Sequence, residues 1–350
     1  MSKETEKAMT TKKQAKYSSF KVSKPEQLDL FFISPDDHHS HTIELYDSIP
    51  FHTWRRPDRV EGKFLDILSR SFGYRGRDFN VTITPARIKD KDGVGRDYYP
   101  GVCEEVVEHV LRKFSADGRA VYLDDLHAFS FSMYALQNEC ARLGHTFSRD
   151  EIKRALMVLT NTGIQLSDES GASVLAFSPF ESYGMKTLDE TDASGSKKEQ
   201  CFVRYNILVT NSIKNLQFRQ FDYKKNLQLH SALARWFHRR LSHYFVQASY
   251  NTTYEIKLST ILRDSPLDST NRRLMDSFRD VCKALDELQK ESVLQRYETT
   301  KIYDTNDKRK VVDCFFKLEP HFLFCSAVIK ANQRSKELKS LLSPQKTLTD

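Results

Sequence analysis

Between Asn226 and Pro320 the apolar residues change period in an order that few folds accept. From Asn226 to Phe245, the residues Leu229, Leu233, Trp236, Phe237, Leu241, Tyr244 and Phe245 recur at three- and four-residue steps, the spacing of a helix with one broad covered face. A short extended piece follows (Tyr254, Ile256, Leu258), then a helix of one to two turns at 259–263, a polar turn at 264–269, and a strongly periodic helix from Thr270 to Glu291. Val293 to Tyr303 and Lys310 to Leu318 alternate as strands around the polar tip 304–309. Helix, strand, short helix, turn, long helix and hairpin is the order of a winged helix-turn-helix.

Stepping about 100° per residue from Leu274 puts Leu274, Phe278, Val281, Cys282, Leu285 and Leu288 within an arc of roughly 120°, a core-facing stripe. Arg272, Asp276, Arg279, Lys283 and Glu287 fall opposite, with Arg273 on the flank. The first turns of a recognition helix meet base edges, and here they are the cationic ones. Lys301, Lys308, Arg309 and Lys310 lie near the tip of the hairpin, as a wing that contacts phosphates requires.

A second unit of the same kind precedes it. Val102 to Phe114 reads as a helix with Val106, Val107, Val110 and Leu111 inward, Ala120 to Leu123 as a short strand, and Ser130 to Leu143 as a helix closed by Gly144. Ser148 and Glu151 form a capping box for the next helix, whose Ile152, Ala155, Leu156 and Leu159 face the core. Arg149, Asp150, Lys153, Arg154, Met157 and Asn161 are left facing away or at its edges. Ile164 to Leu166 and Ser173 to Ser178 supply the expected wing, and the acidic stretch 188–200 is expected to be a mobile loop.

The N-terminal part is less regular. Residues 1–25 are polar and charged and read as a disordered tail. Gln27-Leu28-Asp29-Leu30-Phe31 matches the Q-L-x-L-F peptide that docks on bacterial DNA polymerase sliding clamps, with Gln27 as hydrogen-bonding group and Leu28, Leu30 and Phe31 as anchors. The competing reading makes this run an ordinary first strand. His38, His39 and His41 follow in what reads as a polar loop, and Phe64 to Phe72 has helical spacing.

The formal net charge of +7 permits a nucleic-acid partner without demanding one. Six scattered cysteines with no C-x-x-C fit reduced core residues rather than a zinc site. No run of about 18 apolar residues exists, and Met1 to Tyr17 has no signal-peptide core, so a cytoplasmic protein with no membrane partner is expected. No nucleotide-binding loop and no paired carboxylates or Ser/His arrangement stand out, so neither enzymatic activity nor a cofactor is expected.

The expected fold class is α+β: two tandem winged helix-turn-helix domains with a partly disordered N-terminal extension. The divisions are a tail at 1–25, an extension at 26–98, a first domain at 99–223, a second at 224–332 and a C-terminal tail at 333–350. The duplicated unit, the helices Leu229–Phe237 and Thr270–Leu288, and the peptide Gln27–Phe31 together resemble plasmid replication initiators of the RepA/TrfA winged-helix type, over about residues 99–320. That resemblance implies binding to directly repeated origin sites (iterons), opening of neighbouring AT-rich DNA and recruitment of sliding clamp, replicative helicase and host initiator in a bacterial cytoplasm. It also implies a homodimer that represses its own gene. Base readout would fall to Arg272, Arg273, Arg279 and Lys283 and to Arg149, Lys153 and Arg154, and phosphate contact to Lys308, Arg309 and Lys310. The alternatives are a winged-helix transcriptional repressor and a metal-dependent rolling-circle nickase using His38, His39 or His41.

Overall fold

The computed structural model describes residues 22–23, 30–33, 38–55, 57, 64–90, 92–191, 195, 197–245, 249–267 and 272–342. The tail at 1–21, together with Gln27 and Leu28, lies outside these. Within them, two large apolar cores follow one another along the chain, one gathering residues from Phe31 to Leu227 and the other residues from Leu229 to Val328, beside a small cluster of Ala86, Ile88 and Val158.

The N-terminal part holds strands β1 (Val22–Ser23), β2 (His39–Ile43), β3 (Leu68–Tyr74), β4 (Arg77–Thr84), β5 (Ala86–Lys89) and β6 (Gly95–Tyr98), of which β2, β3 and β4 feed the first core. From the stretch expected as an extension, Ile43, Tyr46, Phe51, Phe72, Val81 and Ile83 are all buried in the first core. The helix expected at 64–72 is strand β3, where exposure alternates residue by residue up to buried Phe72 and Phe64 lies outside the strand. The histidine-bearing segment expected as a loop is β2, buried over Ser40 to Ile43 and paired with a strand near residue 220.

Helix α1 (Val102–Phe114) opens with the Glu104 carboxylate accepting from Gly101 N at 2.8 Å and is buried along nearly its whole length. Strands β7 (Ala120–Leu123) and β8 (Leu126–Ser132) lead to helix α2 (Met133–Arg142), capped by Ser132. Gly144, at φ +89°, closes α2 as expected, with His145 N donating to Cys140 O at 2.9 Å. Helix α3 (Arg149–Asn161) starts with the expected reciprocal capping box of Ser148 and Glu151 and buries Ile152, Ala155, Leu156 and Leu159.

The wing of this unit is not where the alternation placed it. Strands β9 (Gly163–Asp168) and β10 (Val174–Phe177) join β4 and β3 in a sheet of order β10-β9-β4-β3. The strands that return beside β8 are β11 (Phe180–Thr191) and β12 (Lys197–Tyr205), in a sheet of order β1-β7-β8-β12-β11. Most of 188–200, expected as a loop, is therefore strand. Gly184 sits opposite Phe202, whose ring passes 2.1 Å from where a Cβ at 184 would stand, so only glycine lets the ring cross the strand.

Helix α4 (Ile207–Lys214), strand β13 (Phe218–Asp222), which pairs with β2, and helix α5 (Tyr223–Gln228) lead into the second unit. The long helix expected from Asn226 is broken at 229–231. Helix α6 (Ala232–Tyr244) restarts from Ser231, whose hydroxyl accepts from Ala234 N. Then come β14 (Tyr254–Lys257), α7 (Leu258–Asp264), α8 (Leu274–Lys290), β15 (Leu294–Tyr303) and β16 (Val311–Pro320). Their sheet runs β14-β16-β15, the same first-third-second order as β8-β12-β11. The fold is thus α+β with two tandem winged helices. The expected C-terminal tail is helical as far as Leu342: α9 (Phe322–Leu342) turns back on β13, where Arg219 donates to Asn332 at 2.7 Å and Arg334 to Gln220 at 3.1 Å.

A buried charge cluster joins the units. Glu105 on α1, fully buried, accepts from Arg239 at 2.6 Å and pairs with Arg235 at 3.5 Å, both on α6, and also accepts from Trp54 Nε1 at 3.1 Å. Burial alone would raise the Glu105 pKa, but the Arg239 and Arg235 guanidiniums outweigh it and hold it at about 2.

Candidate nucleic-acid interface

In the second unit, Val281, Ala284, Leu285 and Leu288 of α8 are buried against α6 and the sheet, which orients the opposite face outward. Arg279 and Lys283 keep 68% and 78% of their side-chain surface exposed, a value that leaves both heads in solvent. Arg272 and Arg273, expected within the helix, immediately precede it; both are exposed, and Arg273 is the N-cap residue with extended backbone. Acidic residues of the same face hold these cations in place: Arg272 meets Asp280 at 2.7 Å, Arg279 meets Asp276 at 2.7 Å, and Lys283 lies 3.9 Å from Asp280. Exposed pairs of this sort are worth about 0–1 kcal/mol, so exchanging one for a base edge or a phosphate costs little. Glu287 does not belong to the open face, since its carboxylate accepts from His230 N and Ser231 N ahead of α6.

The hairpin β15–β16 ends in a tip built on acceptors supplied by its own aspartates. Asn306 N donates to Asp304 Oδ1 at 2.8 Å and Arg309 N to Asp307 Oδ1 at 2.9 Å. Lys308, Arg309 and Lys310 are exposed there, with Lys310 Nζ 3.8 Å from Asp304. One unit therefore carries a helix face with four exposed cations and a wing tip with three.

The first unit is arranged differently. Lys153 donates to Glu199 at 2.6 Å on β12, Arg149 donates to the Lys197 carbonyl at 3.4 Å, and the Arg154 guanidinium stands 5.7 Å from the Tyr98 ring. Met157, expected to face away, packs with Ala86, Ile88, Val158 and Tyr98. The outward side of α3 packs on β5 and β11, and Arg149, Lys153 and Arg154 are half-buried there, each engaged by a neighbouring element. What this unit does expose is the outer end of its wing, where Lys197 lies 3.8 Å from Asp189 and Lys198 lies 2.7 Å from Glu190. Sequence reasoning passed over these lysines because the outer halves of β11 and β12 are exposed on both faces and lack strand alternation.

Leu30 and Phe31 are the described part of the clamp-like peptide, and they correct its reading. Phe31 is 1% exposed, with its ring against His41, His127 and Phe218, and Leu30 packs on the same core. An anchor held inside the first domain is not available to a clamp; this end of the peptide is core. His41 is equally committed: Nε2 donates to the Phe31 carbonyl at 2.8 Å, and burial lowers its pKa to about 3. Among the described residues no three His, Cys, Asp or Glu side chains form a metal-holding group.

No family model matches the sequence, and no curated protein matches it. Among solved structures, the chain is similar to a selenomethionine crystal structure of domains 2 and 3 of RctB, at a TM-score of 0.44 and 11% identity over 77% of this chain and 94% of that one. It is also similar to the crystal structure of Pi initiator protein in complex with iteron DNA, at a TM-score of 0.38 and 13% identity over 63% of this chain and 91% of that one.

Proposed function

We propose that this protein is a non-enzymatic DNA-binding replication initiator, working in a bacterial cytoplasm, whose second winged helix reads double-stranded origin sites. The observation that carries the DNA-binding part is the juxtaposition in that one unit of an exposed cationic recognition face and an exposed basic wing tip. An α-helix fits the major groove of B-DNA, where arginine and lysine heads recognise guanine O6 and N7. Arg279 and Lys283 on α8, with Arg272 and Arg273 just ahead of its N-terminus, would occupy that position, while Lys308, Arg309 and Lys310 would sit on the flanking phosphates. The initiator part rests on the sequence resemblance to RepA/TrfA-type proteins, which also implies repeated sites, opening of adjacent DNA and recruitment of a helicase and a host initiator.

The test is footprinting of the full-length protein on the DNA that flanks its own coding sequence. Regularly spaced protected repeats are the expected result. A single protected operator would make the protein a repressor, and absence of any protected site would remove DNA recognition from it. Strand cleavage appearing only with added divalent metal would restore the nickase reading.

A further inference from the structure

The hairpin β3–β4 belongs to the first core, yet it reaches the helix-turn-helix of the second unit. Gly73 N donates to Asp264 Oδ1 at 2.9 Å, and Asp78 Oδ1 accepts from Arg263 at 3.1 Å. Asp264 ends α7, is only 3% exposed, and also receives Arg263 Nε at 2.7 Å and Arg240 of α6 at 2.9 Å. One buried carboxylate thus ties together the hairpin, the first helix of the motif and the scaffold helix. The Arg263 guanidinium lies against the face of Gly73 that a Cβ would occupy, a flexible end that a larger residue there would displace.

This contact fixes where the hairpin tip points its charge. Arg75, Gly76 and Arg77 turn the chain with φ of +50° and +74° at the first two, and both arginines are exposed. Arg75 pairs with Glu44, keeping 59% of its side chain in solvent. At about 3.3 Å per strand residue, the tip begins within roughly 7 Å of the Asp78–Arg263 pair. In a helix-turn-helix the first helix crosses the sugar-phosphate backbone beside the groove that the second helix enters. Arg263 projects from that first helix onto Asp78 of the hairpin, to which the exposed Arg75 and Arg77 are close in the chain.

We infer that the β3–β4 tip is a third element of the nucleic-acid interface, with Arg75 and Arg77 contacting backbone phosphates next to the major groove occupied by α8. The inference rests on the reading that α8 binds duplex DNA. It makes the first domain contribute to binding through a hairpin docked on its neighbour rather than through its own recognition helix. Because phosphates carry no sequence, the tip contributes affinity and register, not base preference.

The experiment measures the binding constant of the full-length protein for its flanking duplex as a function of salt, for the wild type, Arg77→Ala, Arg77→Lys and the Arg75→Ala/Arg77→Ala pair. Each phosphate left without its arginine should reduce the slope of log K against log salt by about 0.9. The pair should lower it further than Arg77→Ala alone and by less than about 1.8, since Glu44 already offsets part of the Arg75 charge, with the ranking of duplex sequences unchanged. Arg77→Lys keeps the charge and should keep the slope. A slope unaltered in all variants, while Arg279→Ala still weakens binding, would take the hairpin off the DNA and leave the reading of α8 standing. If Arg77→Ala lowers the melting temperature and Arg77→Lys does not restore the slope, the tip is a structural buttress and the inference falls. If the wild type shows no salt-dependent binding, the reading of α8 fails and this one with it.

Discussion

Helices α3 and α8 hold the same place in the same order of elements, and they differ in how their cations are engaged. Each follows a strand, a helix and a turn, and each leads to a strand pair that returns beside the unit's first strand. At α8, Arg272, Arg279 and Lys283 pair with Asp280 and Asp276 of the same face, a weak surface interaction. On α3 they reach across to other elements: Lys153 to Glu199, whose side chain is 9% exposed, and Arg154 to the Tyr98 ring. Topology decides where a recognition helix stands; what packs around it decides whether it can enter a groove.

The largest effect should come from cutting the two halves apart. Glu105→Ala removes the one carboxylate beneath Arg235 and Arg239 and leaves Arg235, 1% exposed, without its counter-charge. Removing one partner of a buried pair typically costs about 3–5 kcal/mol, read as a shift in the urea midpoint. A loss below about 1 kcal/mol, within the range of exposed pairs, would show that the halves are not joined here. The same carboxylate sets an acid limb. Its folded pKa of about 2 lies below the unfolded value of about 4.3, so its contribution is fully present above pH 4.3 and fades as pH falls towards 2. The variant should lose that part of the acid dependence while keeping the part due to buried histidines such as His41.

The two helices also differ in how far the sequence reveals them. The α2–turn–α3 motif is legible because its determinants are local: Gly144 closes one helix, and Ser148 with Glu151 starts the next. The face of α8 is legible for a similar reason, since a sustained period fixes which residues point outward. The engagement of the α3 cations is not, because Glu199 and Tyr98 lie far from Lys153 and Arg154 in the chain and no periodicity links them. Nor is the first wing, whose outer strands are exposed on both faces, while β9 and β10, which follow α3 directly, belong to another sheet. The clamp-like peptide failed on burial: Leu30 and Phe31 look the same in sequence whether they wait for a partner or fill a core, and only Phe31 against His41 and Phe218 decides between them.

Paired substitutions on the two helices sharpen the contrast. Arg279→Ala or Lys283→Ala should weaken binding to the protected site by about 1–3 kcal/mol and relax base preference at one position, as read by competition with single-base variants of the duplex. Arg154→Ala and Lys153→Ala should change that binding by less than about 0.5 kcal/mol, the level of a surface substitution away from the interface. Lys153→Ala should instead lower the melting temperature, because Glu199 loses its partner while its carboxylate stays largely covered. Equal binding losses on both helices would mean that the α3 cations leave their partners on DNA, and the asymmetry between the helices would be an attribute of the free protein alone.

The smallest expected difference lies between the wings. The tip of β15–β16 has three adjacent cations, of which Lys310 Nζ lies 3.8 Å from Asp304. At the end of β11–β12, Lys197 and Lys198 each face an acidic residue across the strand pair, Asp189 and Glu190. Replacing Lys308, Arg309 and Lys310 together by alanine should flatten the salt dependence of binding by about 0.9 log unit for each phosphate they had neutralised. Lys197→Ala with Lys198→Ala should change it by less, since Asp189 and Glu190 already offset those charges. A larger slope change from the first wing than from the second would reverse the order and make β11–β12 the main phosphate-binding element. The first domain would then bind through its wing in spite of the engaged cations of its helix, and the two units would divide recognition between strand and helix.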